Sequence, residues 1–204
     1  MGAWWHQLKT LLGGSPVPIP DGLWHNTLAH YPFLAERDAG QLQRLRDLSA
    51  RFLQTKQFTG AQGLVITDEM ALAIAAQACL PVLHLGLDWY DDFRGIVVHP
   101  QAMLAPREVA DEAGVVHRYT EELSGEAMPG GPVTLSWHDV QDASAAKGYN
   151  VVIHEFAHKL DMRDGVADGC PPLPSRALAR RWPQVMQAAY EDFTEALSLA
   201  ERFG

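Results

Sequence analysis

The chain has 204 residues, of which 47% are hydrophobic, and this combination is typical of a folded domain with one hydrophobic core. Its 25 acidic and 16 basic residues give a formal net charge of -9. This negative charge disfavours contact with a phosphate backbone or an anionic lipid surface, so neither nucleic acid nor a membrane is expected as a direct partner. Cys79 and Cys170 are too few for a disulfide scaffold, and a reducing cytoplasm fits this usage.

Two segments bear on targeting. Residues 1–10 lack the basic start, continuous apolar stretch and small-residue cleavage site of a signal peptide. Residues 70–87 carry no formal charge, and their length is where a membrane-spanning helix begins to be considered. Gln77, Pro81 and Gly86 interrupt this run, however, so it is predicted to be a buried element of a soluble protein.

The N-terminal part of the chain is predicted to be helical after a short loop. The proline-rich residues 15–22 suit neither a helix nor a central strand and predict an entry loop. A helical part follows at about residues 22–58. Within it, apolar residues recur at steps of three and four, as on the buried face of an amphipathic helix: Leu42, Leu45, Leu48 and Phe52.

The rest of the chain mixes strands with helices. Short apolar runs bounded by Gly, Asp and Pro predict strands at 63–67 and 95–99, with a helix over 70–80 between them, and a third strand at 132–137. Helices are then expected at about 150–161 and 183–203, which makes the fold class α+β. The last helix has an apolar face that comprises Met186, Tyr190, Phe193, Leu197 and Ala200.

The segment with the clearest chemistry is the helix predicted at 150–161. His154 and His158 are four residues apart, so on a helix both imidazoles lie on one face and can bind one zinc ion at about 2.0–2.1 Å. Glu155 points about 100° round the helix, too far to act as a ligand beside both histidines but near enough to take a proton from a zinc-bound water. The alternative is that the histidines lie in the core and only form hydrogen bonds there. Burying these polar side chains among apolar residues would cost several kcal/mol unless each finds a partner.

A catalytic zinc of this kind needs a third protein ligand. Asp164 follows His158 by six residues, where some zinc peptidases place that ligand, but those proteins need Gly at the position of Asp161 so that the chain can turn back. Acidic residues of the last helix are further candidates, and equally suit a solvated surface: Glu191, Asp192 and Glu195. The residues alone therefore leave the third ligand open.

Several blocks resemble the Mlc titration factor A family, bacterial glucose-regulated zinc metallopeptidases whose catalytic domain is related to anthrax lethal factor. The blocks are Cys-Leu-Pro-Val-Leu at 79–83, Leu-Gly-Leu-Asp-Trp at 85–89, Gly-Pro-Val at 131–133, Leu-Ser-Trp at 135–137, and the whole of 150–161. The resemblance covers about residues 30–200. Together the blocks are more specific than the zinc motif, because their order and spacing also match.

The resemblance implies a zincin-like domain over residues 1–204, in which a small mixed sheet packs against the active-site helix and further helices. It implies that His154 and His158 bind Zn²⁺ and that Glu155 is the general base. It also implies aminopeptidase-like activity on small peptides, a cytoplasmic location and binding to the glucose repressor Mlc. The strand at 133–136 is expected to be an edge with which an extended peptide substrate pairs; the alternative is that it is simply part of the core.

In the resembling family the third ligand is a Glu on a helix well downstream of the second His, preceded by a Tyr. Both would lie beyond Gly204, so the domain is expected to lack the segment with its third ligand, and the 204-residue chain is then expected to bind zinc weakly and to hydrolyse peptides poorly. The competing hypothesis is a non-catalytic protein that sequesters a repressor and has a degenerate or structural metal site.

Overall fold

The computed structural model describes residues 18–110, 116–143 and 148–203. Residues 1–10, which lack a signal-peptide pattern, and the start of the predicted entry loop lie outside the described residues. The chain divides into two compact units, Met1–Lys159 and Leu160–Gly204. That residues 1–204 form one zincin-like domain stays a prediction.

Helices open the described part of the first unit, as expected: α1 (Asp21–His30), α2 (Pro32–Ala35) and α3 (Ala39–Thr55). The predicted amphipathic stripe is confirmed on α3, where Leu45, Leu48 and Phe52 are buried. Helix α3 begins at a capping box, in which the Asp38 carboxylate accepts a hydrogen bond from the Gln41 backbone N–H at 2.8 Å. Helix α1 begins within the loop predicted at 15–22. Pro20 directly precedes its first residue, and the backbone N–H that proline lacks is not needed at the start of a helix.

A four-stranded mixed sheet forms the centre of this unit, and the predicted α+β class is confirmed. The strands of the described residues are β1 (Gln57–Gly60), β2 (Gly95–His99), β3 (Met103–Ala110), β4 (Val116–Leu123), β5 (Gly125–Ala127) and β6 (Val133–Ser136). The sheet has the order β1, β2, β6, β5, in which β1, β2 and β6 are parallel and β5 is antiparallel to β6. A separate antiparallel pair consists of β3 and β4.

The strands predicted at 95–99 and 132–137 are confirmed, but the strand predicted at 63–67 is wrong. The strand lies earlier, at β1, and a turn follows it in which Gln62 and Gly63 both have positive φ angles, 53° and 81°. This turn leads the chain away from the sheet. In the apolar run after it Val65 is 79% exposed, whereas Ile66 is buried.

The predicted buried helix is confirmed as α4 (Asp68–Cys79), which begins where the Thr67 hydroxyl accepts a hydrogen bond from the Met70 N–H. Every residue of α4 from Met70 to Cys79 is buried. Within the described residues, no helix is both long enough and apolar enough to cross a membrane. The uninterrupted burial of α4 places this helix in the core of the first unit.

Two helices complete the first unit: α5 (Trp137–Asp142) and α6 (Val151–Asp161), whose last residues extend into the second unit. Helix α6 is the helix with the zinc motif. The Phe156 side chain anchors it, because its ring is fully buried against an aromatic cluster. The ring centroid lies 5.1 Å from that of Tyr90, 5.7 Å from that of Phe52 and 5.9 Å from that of Phe93.

The second unit contains a 3-10 turn (Met162–Asp164) and the long helix α7 (Arg176–Phe203). The start predicted at residue 183 is wrong, since Pro183 lies inside the helix, two turns after its first residue. A proline there removes one backbone hydrogen bond, and the surrounding exposed helix accommodates it. The apolar face of α7 is exposed at each of its described positions, namely Met186, Tyr190, Phe193 and Leu197.

Candidate metal centre

The start of α6 is held by one side chain with two roles. The carbonyl oxygen of the Asn150 side chain accepts a hydrogen bond from the Ile153 backbone N–H at 2.9 Å, which caps the helix. Its amide nitrogen donates to Gln77 Oε1 at 2.7 Å. Gln77 is fully buried in α4 and donates in turn to the Ala73 carbonyl at 3.1 Å. The polar residue that interrupts the apolar run of α4 thus ties the zinc-motif helix to the core.

The structure brings His154 and His158 together on the exposed side of α6. Their Nε2 atoms are 3.2 Å apart, and their rings are perpendicular, with centroids 4.7 Å apart. Two nitrogens bound to one tetrahedral zinc at about 2.0–2.1 Å are separated by about 3.3 Å. The two imidazoles therefore have the spacing that a shared zinc ion requires, with little rearrangement.

The electrostatic setting favours the neutral form of one of these imidazoles. Partial burial lowers the pKa of His154 below its usual value, and the nearby His158 ring lowers it further. A metal ion binds the neutral form of imidazole, so a lowered pKa reduces the competition from protons.

Glu155 lies on the buried side of the same helix and is 4% exposed. Burial raises the pKa of this carboxyl group to about 7, while a hydrogen bond from the Ala127 backbone N–H lowers it and the nearby Glu126 raises it further. A carboxyl group with this pKa can both accept and return a proton near neutral pH. The charge and position of Glu155 therefore suit proton transfer.

Tyr149, just before α6, was not singled out from the sequence. Its ring centroid lies 6.0 Å from that of His154, and its side chain is about half exposed. Burial and the nearby Glu155 raise the pKa of its phenol, although a hydrogen bond with the Ser124 side chain lowers it. The phenol consequently keeps its proton at neutral pH and can donate a hydrogen bond beside the imidazoles.

Lys159 is a second residue that sequence reasoning missed. Although it follows His158 directly, it points the other way and is only 1% exposed. Its Nζ donates to the carbonyls of Met128 and Gly131, at 3.0 and 3.3 Å, and lies 3.4 Å from the Asp92 carboxylate. These two carbonyls belong to the turn that joins β5 to β6. Lys159 therefore ties the zinc-motif helix to the strand beside it.

The expectation that the strand at 133–136 is a free edge is wrong. Strand β6 is interior, because it pairs with β2 on one side and with β5 on the other. The edge strand on this side of the sheet is β5, which also donates the Ala127 N–H to Glu155. The edge beside the candidate site thus consists of three residues that sequence patterns did not mark as a strand.

The third ligand is not found among the residues that the structure describes, where no three His, Cys, Asp or Glu side chains are arranged to hold a metal ion. The Asp164 carboxylate accepts a hydrogen bond from the Val166 backbone N–H at 3.1 Å. Glu191 accepts one from the Gln187 side chain, one helical turn away on the exposed surface of α7. Both acids thus have local structural roles.

Comparison with known proteins agrees with this geometry. Residues 3–203 match a protein family described as glucose-regulated metallo-peptidase M90. The chain belongs to this family. The description of the family as a metallo-peptidase implies a metal ion, and the spacing of the His154 and His158 imidazoles fits one.

The relatives of the chain are proteins named Mlc titration factor A. The protein of Klebsiella pneumoniae is 38% identical over 177 residues, which are 86% of this chain and 66% of that protein. The protein of Cronobacter sakazakii is 39% identical over 184 residues, 90% of this chain and 68% of that protein. The protein of Serratia proteamaculans is 39% identical over 177 residues, 86% of this chain and 67% of that protein. The chain thus spans about two thirds of the length of these M90 relatives.

Proposed function

We propose that this M90 protein is a zinc-dependent peptidase of the aminopeptidase type, in which His154 and His158 hold the metal and Glu155 is the general base. The observation that carries the proposal is the 3.2 Å separation of two imidazole nitrogens on the helix that also carries a buried carboxyl group with a raised pKa. Membership of a metallopeptidase family supports it.

The residues of the site divide the chemistry between them. When bound, zinc supplies a positive charge that polarises the scissile carbonyl and makes water more acidic. Glu155 accepts a proton from the attacking water and returns it to the leaving amine, and the Ala127 N–H holds its carboxylate in place. The phenol of Tyr149 is placed to donate a hydrogen bond to the substrate beside His154.

The substrate is proposed to bind as an extended peptide along β5. This strand pairs with β6 on one side only, so its outer backbone groups, other than the Ala127 N–H that donates to Glu155, can pair with an added strand. The three-residue length of β5 limits this pairing to a short segment. A short edge fits small peptides, as the resemblance of the sequence implies.

We further propose that the third zinc ligand is a carboxylate from a segment downstream of α7. Two imidazoles alone leave two positions of a tetrahedral zinc for other ligands, whereas catalytic sites commonly use three protein ligands and leave one position open. A zinc titration tests this ligand, because a protein extended through the downstream helix should bind zinc more tightly than residues 1–204. Equal affinity would place the third ligand within these residues.

A Mlc-type glucose repressor is the second partner that we propose, and the name of the relatives carries this inference. The proposed location is the cytoplasm, where the free thiols of Cys79 and Cys170 are stable. If the protein acts only by sequestering the repressor, the metal site is structural or degenerate. Repressor binding by a variant that cannot hydrolyse peptides separates the two activities.

The experiment that tests the peptidase is Glu155→Gln in a protein that includes the third ligand. Hydrolysis of small peptides should fall by at least about 10³-fold, because Glu155 transfers protons. The zinc content should stay at about one ion per chain, because Glu155 does not bind the metal. His158→Ala should lose the zinc and the activity together. His25→Ala is the matched control, since His25 is also helical but lies on the exposed surface of α1.

Loss of zinc in Glu155→Gln would make this residue a ligand or a determinant of folding and would contradict the assignment. Unchanged repressor binding by Glu155→Gln, beside lost hydrolysis, would show that the two proposed activities are separate. A wild-type protein that binds zinc and the repressor but hydrolyses no peptide would favour the sequestering protein.

A further inference from the structure

We propose that Gly125 is a positioning residue for Glu155, and that its missing side chain leaves the space which the carboxyl group occupies. The catalytic meaning of this inference rests on the proposed role of Glu155 as general base. The steric contact itself does not depend on that role. Gly125 is the first residue of β5 and pairs with Leu135 of β6.

The contact between these residues is close enough to exclude any side chain. A β-carbon on Gly125 would lie 2.6 Å from Cγ, 2.7 Å from Oε1 and 2.9 Å from Cδ of Glu155. These are the three nearest atoms, and all belong to the same side chain. Carbon atoms in van der Waals contact are about 3.5–4.0 Å apart, so even alanine at this position would overlap with Glu155.

The backbone of Gly125 does not explain the choice of glycine. Gly125 is not in the conformation that favours glycine, since the glycines with positive φ in the described part of the chain are Gly63, Gly86, Gly130, Gly148, Gly165 and Gly169. Glycine within a strand weakens it, because it orders a flexible backbone and packs no side chain. The close approach of Glu155 is therefore the physical reason for a glycine at this position.

The second half of the arrangement comes from Ala127, two residues further along the same edge. Its N–H donates to the Glu155 carboxylate, while Gly125 leaves room beside it. Strand β5 thus both admits the side chain and bonds to it. A methyl group at residue 125 would push the carboxyl group off this donor, and a displacement of about 1 Å can cost on the order of 10²-fold in rate.

Thermal unfolding of the 204-residue chain tests the contact without any catalysis. Gly125→Ala should lower the unfolding midpoint by about 3–8 °C, because the overlap strains a buried side chain. In a Glu155→Ala background, which removes all three overlapping atoms, the same change should shift the midpoint by less than about 2 °C. Gly22→Ala is the matched control, since nothing lies within 4 Å of a β-carbon there.

The coupling between the two substitutions decides the outcome. An equal fall in both backgrounds, or no fall in either, would overturn the proposal. If Gly125→Ala does not fold, then folding of the double variant supports the proposal, and failure of both to fold contradicts it. None of these results depends on whether the protein hydrolyses peptides.

Kinetics then tests the positioning role in a protein with its full set of ligands. Gly125→Ala should lower kcat by about 10²-fold and leave KM and zinc content within about 2-fold, because it moves the base and not the ligands. In a Glu155→Gln background the same substitution should cost less than about 3-fold, since residues that act as a unit are not additive. A raised KM with unchanged kcat would instead assign Gly125 to contact with the substrate.

Discussion

Helices α6 and α7 have the same kind of sequence pattern and opposite environments. In α6 Val151, Val152 and Phe156 are buried, and the Phe156 ring packs into an aromatic cluster. In α7 the apolar face that comprises Met186, Tyr190, Phe193 and Leu197 is exposed. Helical periodicity predicts that a helix forms, but only a neighbouring surface of matching shape turns its apolar face into stability.

The difference also explains where a metal site can be built. The exposed imidazoles of α6 are placed by the buried face of the same helix, through Phe156, Lys159 and the Asn150 cap. The face of α7 has no such anchors among its described residues, and its acids point to solvent. A rigid site needs a helix whose other side is fixed in the core.

The largest expected effect is at the centre of the α6 anchor. Phe156→Ala should lower the free energy of unfolding by about 3–5 kcal/mol, because it removes a fully buried ring and leaves a cavity. Urea denaturation of the 204-residue chain measures this change. A loss below about 1 kcal/mol would mean that the aromatic cluster does not hold α6, and the contrast with α7 would fail.

A pH-dependent effect is expected beneath the same cluster. Lys56 is buried, its Nζ lies 3.8 Å from the centroid of the Phe93 ring and donates to the carbonyls of Tyr90 and Phe93. Burial lowers the pKa of Lys56 from 10.5 to about 8, against the opposing effect of Asp92.

Between pH 8 and pH 10.5 Lys56 of the unfolded chain binds a proton that Lys56 of the native chain has lost, so the free energy of unfolding should rise with pH. The rise contributed by Lys56 from pH 8 to 10.5 should be about 2–3 kcal/mol, and Lys56→Met should remove it. Urea midpoints at the two pH values, with and without the substitution, measure the difference. An identical slope in both proteins would refute the assignment.

A smaller effect is expected at the start of α6. Asn150→Ala should cost about 1–2 kcal/mol, since it removes a helix cap and leaves the buried Gln77 amide without that bond. Asn150→Asp is the informative comparison, because it keeps the cap acceptor and loses the donor to Gln77. If both variants lose the same stability, the bond to Gln77 carries the effect; if Asn150→Asp is wild-type-like, the cap does.

The smallest effect is expected on α7. Phe193→Ser removes a large apolar side chain that is 54% exposed, and should change the stability of the 204-residue chain by less than about 0.5 kcal/mol. Compared with Phe156→Ala in the same assay, it measures how much of the contrast comes from burial. A loss above about 2 kcal/mol would show that the face of α7 is covered in solution.

Much of the site follows from local rules that a sequence displays. The four-residue step between His154 and His158 places both imidazoles on one helical face wherever the helix lies, and Glu155 must then point elsewhere. The helices α4 and α6 and the strands β2 and β6 were likewise readable, because their periodicity or their bounding Gly and Pro residues are local features.

The remainder depends on contacts between distant parts of the chain. Nothing near residue 125 shows that a glycine must face Glu155, because 30 positions separate the two residues along the chain. Only in the folded protein do they meet, where a β-carbon on Gly125 would lie 2.6 Å from Cγ of Glu155. Gln77 finds its partner in Asn150 only when α4 and α6 meet, and Lys159 finds its carbonyls only beside the β5–β6 turn. The sequence by itself predicted the proposed ligand pair and the proposed base, because helix geometry is local. Tertiary structure decided which strand is the edge, what anchors the helix and what space the carboxyl group occupies, because strand order and packing depend on long-range contacts.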